Sequence, residues 1–399
     1  MEVAASGLMG VPQESEFDAV GKFLRAREMA PLPRDAAHGV LGHALVSLHG
    51  KVHRDRRAIE NPLFSSDSLR RYEDEVLEPS IDQAIKGLER SADAEGRVRI
   101  NVPAFATDLI LNISMVLIGV DDRTEGDRRR IFDLIDPLVA AHEVEWSLAD
   151  PAGVIDRASV AKATFWDEYL EPAYRRRQAA VRDGGWSEPL DLLSVLAESG
   201  GAEGEEVVAQ ECALYLIASV LTTTSTITNA VELLLEWVDT HPEDRSRILD
   251  EDDEFLLRCV EETLRVRPPI KPLLLRSPEK DTIVGGCPVS SGTTVGANVG
   301  AAHVDPIVYP DHPEKFDPER VPAKQVRRTH YSFGDGPHLC IGRPLVIGDV
   351  DAGTQGDAAA IVRALFRADV RNDPTRSAAF YSTARRRYVE YPVTIRVDS

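Results

Sequence analysis

The stretch Phe333-Gly-Asp-Gly-Pro-His338-Leu-Cys340-Ile-Gly342-Arg343 places one cysteine inside a glycine-rich loop, directly before a segment that could form a helix. Glycine adopts backbone conformations that cost other residues energy, so these glycines predict tight turns and a close approach to something flat. Free N–H groups and the dipole at the start of a helix favour a thiolate. The loop therefore predicts that Cys340 directs a thiolate towards a metal, with Phe333 against the sulfur side of a planar cofactor.

The spacing Phe-x-x-Gly-x-His-x-Cys-x-Gly resembles the haem-binding loop of the cytochromes P450. In that family the cysteine thiolate is the proximal ligand of the haem iron and pushes electron density towards O–O cleavage. The resemblance implies that Cys340 ligates iron and that Phe333, His338 and Gly342 contact a haem b. A buried, inert cysteine beside a turn is the alternative. Five matched positions over ten residues favour the metal ligand.

Length and charge narrow the class of protein. The chain has 399 residues, 66 of them acidic against 46 basic, for a formal charge of −20. Such an acidic chain is a poor candidate for binding nucleic acid or an anionic membrane surface. We find neither an apolar run of transmembrane length nor a leader segment, and no linker divides the chain. We therefore expect one cytoplasmic domain spanning residues 1–399.

The cysteines are too widely spaced for a shared metal site. The four, at positions 212, 259, 287 and 340, contain no C-x-x-C pair. This is neither a zinc pattern nor the dense spacing of a secreted disulfide scaffold. Only Cys340 has surroundings that suggest chemistry, and the other three are predicted to be small apolar core residues.

The N-terminal region has few clear signals. Phe17 to Arg27 is predicted to be a short helix, and the Pro- and Gly-punctuated stretch Pro31 to Gly42 a loop. The cytochromes P450 carry a helix and a β-hairpin at this end, but residues 1–50 show no alternating strand pattern. We therefore expect the β-rich edge to be truncated within residues 1–40.

A second motif, Leu48-His-Gly-Lys-Val-His53-Arg-Asp-Arg-Arg57, pairs two groups on one helix face. His53 and Arg57 stand four residues apart and suit an anionic carboxylate. An ordinary solvated helix face is the alternative for such a pair. The P450 family uses H-x-x-x-R at this point to hold a haem propionate, which the resemblance extends to His53 and Arg57.

Glu205 to Asp239 is the longest helical candidate, on the order of 50 Å if continuous. It contains three consecutive threonines, which are poor helix formers and which can simply bond the carbonyl one turn back. The segment resembles the distal helix of the cytochromes P450, whose pattern is Ala-Gly-x-acid-Thr-Thr. The resemblance implies catalytic roles for Thr222 and Thr223 in delivering protons to iron-bound dioxygen.

Two positions of this helix depart from the family pattern. Ser219 replaces the glycine and Leu221 replaces the acid. Leucine neither carries nor relays a proton. Protons must then come from water, from a nearby hydroxyl or from the substrate, unless the enzyme is not a standard hydroxylase.

Several later segments extend the resemblance. Glu262 and Arg265 match the family's buried E-x-x-R pair and are predicted to be structural, and Arg276 matches its second propionate-binding arginine. Residues 280–300 have strand composition with glycine turns, and Tyr388 to Val397 is predicted to be a closing strand. After Cys340, glycines at 348, 353 and 356 interrupt the expected helix, so it starts late or carries a bulge.

A basic cluster surrounds the cysteine loop of this acidic chain. Lys324, Arg327 and Arg328 precede the loop and Arg343 follows it. These residues suit a docking face for an acidic electron carrier, although ordinary surface charge explains them equally well.

Together the motifs predict a mainly α-helical single large domain with a small β region. The resemblance implies a haem-thiolate monooxygenase that takes electrons from a ferredoxin-type partner and oxygenates an apolar small molecule. Leu221 motivates one alternative, a haem-thiolate enzyme of non-hydroxylating type. The short N-terminus and the interrupted final helix motivate another, a non-catalytic haem binder.

Overall fold

The computed structural model describes residues 10–397, except 34, 121–123, 145–149, 185–189, 200–203, 251–253, 271, 328, 350–351 and 383–386. Arg328, one of the predicted docking residues, lies outside the described residues. Helices dominate the described part of the chain, which confirms the predicted fold class.

The helices are, in chain order, α1 (Phe17–Arg25), α2 (His38–Leu41), α3 (Gly50–Glu60), α4 (Ser66–Tyr72), α5 (Glu78–Gly87), α6 (Val102–Ile118), α7 (Glu125–Glu143), α8 (Pro151–Phe165), α9 (Glu171–Arg182), α10 (Leu192–Glu198), α11 (Gly204–Thr240), α12 (Asp244–Leu249), α13 (Phe255–Val266), α14 (Val299–Ala302), α15 (Arg343–Ile347) and α16 (Gly356–Arg367). The strands are β1 (Gln13–Glu14), β2 (Met29–Pro31), β3 (Arg97–Asn101), β4 (Leu273–Pro278), β5 (Thr282–Val284), β6 (Cys287–Val289), β7 (Val295–Asn298), β8 (Arg371–Asn372), β9 (Ala379–Ser382), β10 (Arg387–Glu390) and β11 (Pro392–Arg396).

The strands form small sheets beside the helices. The largest has the order β1-β7-β4-β2, in which only β1 and β7 are parallel. A second sheet has the order β3-β11-β8, and β5-β6 and β9-β10 are hairpins. The β5-β6 turn has positive φ at Gly285 and Gly286, as the sequence predicted. The predicted closing strand is divided, because β10 and β11 belong to different sheets on either side of Tyr391.

The N-terminal region contributes strands, so the prediction that it lacks them is wrong. β1 pairs with β7 and β2 pairs with β4, across more than 200 residues of sequence. β1 has two residues and β2 has three, too few to show the alternation on which strand prediction rests. The long-range partners supply the stability that such short strands lack alone.

Helix α11 is the central element of the core. It runs for 37 residues, two more than predicted, and most of its residues from Val208 to Leu235 are buried. Its length and composition would allow it to cross a membrane, but 61% of its most apolar window is buried inside the protein. This burial is that of a core helix, and α6, α13 and α16 pack around it.

The helix after Cys340 is split in two. α15 has only five residues and ends at Gly348, whose φ of 74° favours glycine. A short loop closed by a bridge between Asp349 and Thr354 follows, and α16 then begins at Gly356. The predicted interruption is confirmed, but it is a connecting loop rather than a bulge.

The E-x-x-R pair is buried, as predicted. Nε and Nη2 of Arg265 each donate a 2.7 Å hydrogen bond to one oxygen of Glu262. The guanidinium also donates to the carbonyls of His303, Pro313 and Lys315. The pair therefore ties α13 to the chain that leads towards the cysteine loop, which is a structural role.

Two buried histidines predict acid sensitivity. Burial lowers the pKa of His303 to about 3 and of His330 to about 2. Since an unfolded histidine titrates near 6.5, the unfolded state binds more protons below that pH. We expect the free energy of unfolding to be constant above about pH 7 and to fall by up to about 1.4 kcal/mol per pH unit per histidine below pH 6.5. Denaturant titrations of the holoprotein across pH 4–8 measure this slope.

The control for this prediction is an exposed histidine. His303→Gln is expected to reduce the slope, whereas His312→Asn, at a side chain 71% exposed, leaves it unchanged. An equal slope in wild type and His303→Gln would contradict the assignment.

Candidate functional site

The cysteine loop is held by its own backbone. The N–H of Cys340 donates to the carbonyl of Phe333 over 2.9 Å, which closes the turn. Gly334 and Gly336 have φ values of 71° and 65°, so the predicted tight turns are present there. Gly342 differs, because its φ of −80° is open to any residue. A Cβ at Gly342 would lie 4.0 Å from the sulfur, so glycine there leaves the thiol uncrowded.

The Cys340 thiol is accessible although protein surrounds it. Burial raises the pKa of the thiol, while backbone hydrogen bonds from Gly342 and Arg343 and the charge of Arg57 lower it. A bound metal cation deprotonates a coordinating thiol outright. The N–H groups that point at the sulfur would then stabilise the thiolate.

A cationic cluster lies beside the loop. The His53 and His338 rings are 4.3 Å apart between centroids, and Nη1 of Arg57 donates to the Leu339 carbonyl over 2.6 Å. His49 stacks on His338, with 3.2 Å between Nδ1 and Nε2. The predicted residues of α3 and of the cysteine loop are thus brought together. His49 was missed, although it stands within the quoted motif.

Arg276 completes this cluster from β4. Burial lowers its pKa to about 10, and its charge helps to lower the pKa of His338 to about 3. Burial, with help from Arg57, lowers the pKa of His53 to about 4. Within the described residues, neither Arg57 nor Arg276 has a carboxylate partner. The site therefore has uncompensated positive charge at neutral pH.

One face of α11 is accessible in the middle of an otherwise buried helix. Tyr215, Ser219 and Thr222 are partly accessible, and Ala218 is exposed. These positions follow the i, i+3, i+4, i+7 spacing of a single helix face. Because the flanking turns are packed, we infer that this face borders a space inside the protein.

The Ser219 and Thr222 hydroxyls on this face bond to their own helix. Oγ1 of Thr222 donates to the Ala218 carbonyl over 2.7 Å, and Oγ of Ser219 donates to the Tyr215 carbonyl over 2.7 Å. The Ser219 hydroxyl also lies 2.7 Å from that of Ser114 on α6. The serine therefore joins two helices, a role that glycine cannot perform.

The structure separates the two predicted catalytic threonines. Thr223 is 2% exposed and lies on the packed side of α11, whereas Thr222 is on the accessible face. Consecutive helix residues point about 100° apart, so only one of a pair can face a given space. A role for Thr223 stays a prediction from sequence.

Apolar side chains border the same interior. Leu221, Phe333 and Ile341 are partly buried and pack against the main core. Leu273 to Ser277 of β4 are all partly accessible. On the cationic side, His53, Arg57, His338 and neighbouring arginines line a cavity of about 810 Å³.

These residues fit a haem. The accessible thiol would hold the iron, and the glycine-rich loop leaves the sulfur uncrowded. Two arginines without carboxylate partners in the described chain, together with the histidines, suit two propionates, and the propionate charges would offset theirs. Burying an unpaired cation is costly, so Arg276 in particular calls for an anion.

A sequence profile described as "Cytochrome P450" matches residues 18–347. The putative cytochrome P450 YjiB of Bacillus subtilis is 26% identical over 336 residues, covering 82% of this chain and 76% of that protein. The 6-deoxyerythronolide B hydroxylase of Saccharopolyspora erythraea is 30% identical and covers 73% and 63% of the two chains. Among solved structures, CalO2 superposes with a TM-score of 0.74 at 22% identity, covering 97% and 91%.

Proposed function

Because the chain belongs to the cytochrome P450 family, we propose that it binds haem b through Cys340 and inserts one oxygen atom of dioxygen into an apolar small molecule. It is an oxidoreductase of the P450 monooxygenase type. We propose that residues 1–399 form one domain that performs this reaction. The single observation that carries the proposal is an accessible thiol beside a cationic cluster that has no carboxylate to balance its arginines within the described residues.

Each group of residues has a distinct task in this reaction. When bound, the haem supplies the activation of dioxygen by a thiolate-ligated iron. The Cys340 sulfur gives up its proton on ligation, and the N–H groups of Gly342 and Arg343 hold the negative charge in place. Arg57, Arg276, His53 and His338 orient the cofactor through its propionates. Phe333 and Ile341 exclude water from the sulfur side.

The accessible face of α11 would provide polar groups for the reaction. The Thr222 hydroxyl would hold a water molecule after its hydrogen bond to the Ala218 carbonyl breaks. Leu221 contributes apolar surface rather than a carboxylate. The expected substrate is therefore apolar, with few polar anchors.

The proposal also covers the electron donor and the cellular location. We propose a ferredoxin-type donor and a cytoplasmic location, as in soluble bacterial relatives. The basic residues around the loop are partly engaged within the protein: Lys324 pairs with Asp18 and Arg327 with Asp335. The hydroxylase relative supports a setting in secondary metabolism.

Two measurements test the function. The reduced protein under carbon monoxide is expected to show the absorption of a thiolate-ligated haem, and a protein without visible absorbance would refute haem binding. Turnover with labelled dioxygen and a surrogate redox chain is expected to place label in the product. Turnover without label would instead favour the non-hydroxylating chemistry that Leu221 suggests. No turnover and no substrate-induced spectral shift would favour a haem binder.

Arg276→Leu is expected to weaken haem binding. The change removes a partly buried cation that would bind a propionate, at a cost of about 2 kcal/mol, or roughly 30-fold in affinity. Transfer of haem to an excess of an apo-globin acceptor measures the loss. The matched control is Arg130→Leu, at a side chain 58% exposed on α7, which leaves haem retention unchanged. Equal retention in the two variants would contradict the propionate assignment.

Thr222→Ala is expected to reduce coupled turnover by less than about tenfold, a small effect for a proton-delivering group. The neighbouring acid is already absent at Leu221, so the hydroxyl is not the sole route for protons. The fraction of NADH electrons recovered as peroxide, with a surrogate ferredoxin chain, measures coupling. Complete loss of coupled turnover would contradict this expectation.

A further inference from the structure

A buried acidic cluster joins α3 to α11 outside the groups already assigned. Glu60 ends α3 and Glu211 lies on α11, and both are 0% exposed. Nη1 of Arg56 donates to Oε2 of Glu211 over 2.6 Å, and the N–H of Leu45 lies 3.0 and 3.2 Å from the two Glu211 oxygens. Glu211 is therefore bonded as an ionised carboxylate.

Glu60 is bonded very differently. Oε2 accepts from the Tyr215 hydroxyl over 2.9 Å, and Oε1 is buried without a hydrogen-bond partner. Burial, reinforced by the charge of Glu211, raises the pKa of Glu60 to about 9, against the opposing effects of Tyr215, Arg56 and Arg57. An ionised carboxylate with one bare oxygen in such a place would be costly, so Glu60 holds a proton at neutral pH.

The partner of Glu60 is a residue of α11. Tyr215 lies on the accessible face of α11, four residues before Ser219 and seven before Thr222. The adjoining position 221 holds leucine, where the family pattern has an acid. The helix thus lacks a carboxyl group at position 221, but the protonated carboxyl group of Glu60 is buried beside the same helix.

We propose that Glu60 and Tyr215 supply protons to the pocket face of α11, in place of the carboxyl that Leu221 removes. This inference rests on the proposed oxygen chemistry, which consumes protons. Glu60 acts through Tyr215 and does not itself border the reacting atoms.

The transfer balances without any other reactant. The Tyr215 hydroxyl turns away from Glu60 and releases its proton to water on the α11 face, and its oxygen then accepts the proton that Glu60 carries on Oε2. The carboxylate left on Glu60 is stabilised by Arg56 and Arg57. Glu60 is 0% exposed, so the proton returns from solvent only when the packing between Glu60 and the cavity beside α3, which Arg57 and Asn61 line, opens.

The first test is spectroscopic and needs no turnover. Infrared spectra of the holoprotein at pH 7 are expected to contain the C=O stretch of a protonated carboxylic acid, which is lost in Glu60→Gln and kept in Tyr215→Phe. The band is expected to disappear as the pH rises through about 9. Identical spectra for wild type and Glu60→Gln would overturn the proposal, whether or not the protein turns over.

The second test measures proton supply. With a surrogate ferredoxin chain and NADH, Tyr215→Phe and Glu60→Gln are each expected to slow NADH consumption at least about tenfold and to change the solvent isotope effect. Leu221→Glu is expected to restore the rate in the Glu60→Gln background. A merely structural role for Glu60 would not be rescued in this way.

A matched control distinguishes proton supply by Glu60 and Tyr215 from the general effect of losing a tyrosine–carboxyl hydrogen bond. The Tyr72 hydroxyl donates to Oδ1 of Asp357 over 2.8 Å, a similar pair outside α11, and Tyr72→Phe is expected to keep the rate. Equal rates for Tyr215→Phe and Tyr72→Phe would overturn the proposal. Absence of the thiolate absorption in the wild-type protein would instead refute the proposed function. Failure of the proton-supply proposal can therefore be distinguished from failure of the proposed function.

Discussion

Cys340→Ala is expected to abolish the thiolate absorption of the reduced, carbon monoxide-bound protein. The thiol is accessible and lies in a loop whose backbone N–H groups point at the sulfur. Alanine removes the ligand while it keeps the backbone of the turn, since the closing bond joins Cys340 N–H to the Phe333 carbonyl. The absorption spectrum, read together with total haem content, measures the effect.

The chain offers a matched control for this change. Cys287 is also exposed, so the prediction that it is a core residue is wrong, whereas Cys212 and Cys259 are buried. Because Cys287 lies on the β5-β6 hairpin, Cys287→Ala is expected to leave the spectrum unaltered. Cys340→His offers a nitrogen ligand and keeps the test informative if the alanine variant loses its haem. A thiolate spectrum in either Cys340 variant would refute the ligand assignment.

The parts of the site that the sequence predicted are those whose chemistry is local. The glycines around Cys340, the H-x-x-x-R of α3 and the E-x-x-R of α13 each lie within one loop or one helix. A short motif specifies the contacts within such an element, because neighbours along a helix are neighbours in space. Because these motifs occur in the same order as in the family, the sequence also predicted that one site contains His53, Arg57, Arg276 and His338.

The sheet that contains β1 and β7 could not be predicted from local sequence patterns. Gln13 pairs with Gly296, so the strand exists only once distant segments have met. A two-residue strand has no periodicity to detect, and its stability comes from its neighbours. The N-terminal strands were missed for this physical reason.

The burial of charged residues was also not predicted from the sequence. Glu60 and Glu211 appear in sequence as ordinary charged residues near helix ends, and nothing local shows that both are fully buried. Only the packing of α3 on α11 places two carboxyls together and gives Tyr215 its partner. The prediction that protons need another source beside Leu221 was available from sequence, but the identity of the source was not.

Arg265→Ala is expected to lower the free energy of unfolding by about 3–5 kcal/mol. Arg265 is 1% exposed and binds both oxygens of Glu262, together with three carbonyls from the segment between β7 and the cysteine loop. Its removal leaves a buried carboxylate with Arg320 as a remaining cation at 3.2 Å. Against a typical total of 5–15 kcal/mol, this is a large fraction. Denaturant unfolding of the holoprotein measures it.

The size of this effect depends on burial rather than on the number of ion pairs. Arg130 pairs with Glu168 at the surface, with side chains 58% and 39% exposed, and Arg130→Ala is expected to change stability by less than about 1 kcal/mol. Arg265→Lys keeps the charge but loses the two-pronged geometry, so it should fall between the two. Because the carbonyls that Arg265 holds lie on the approach to the cysteine loop, haem content should fall in the same order. A loss in Arg265→Ala no larger than in Arg130→Ala would show that the pair does not fix this segment.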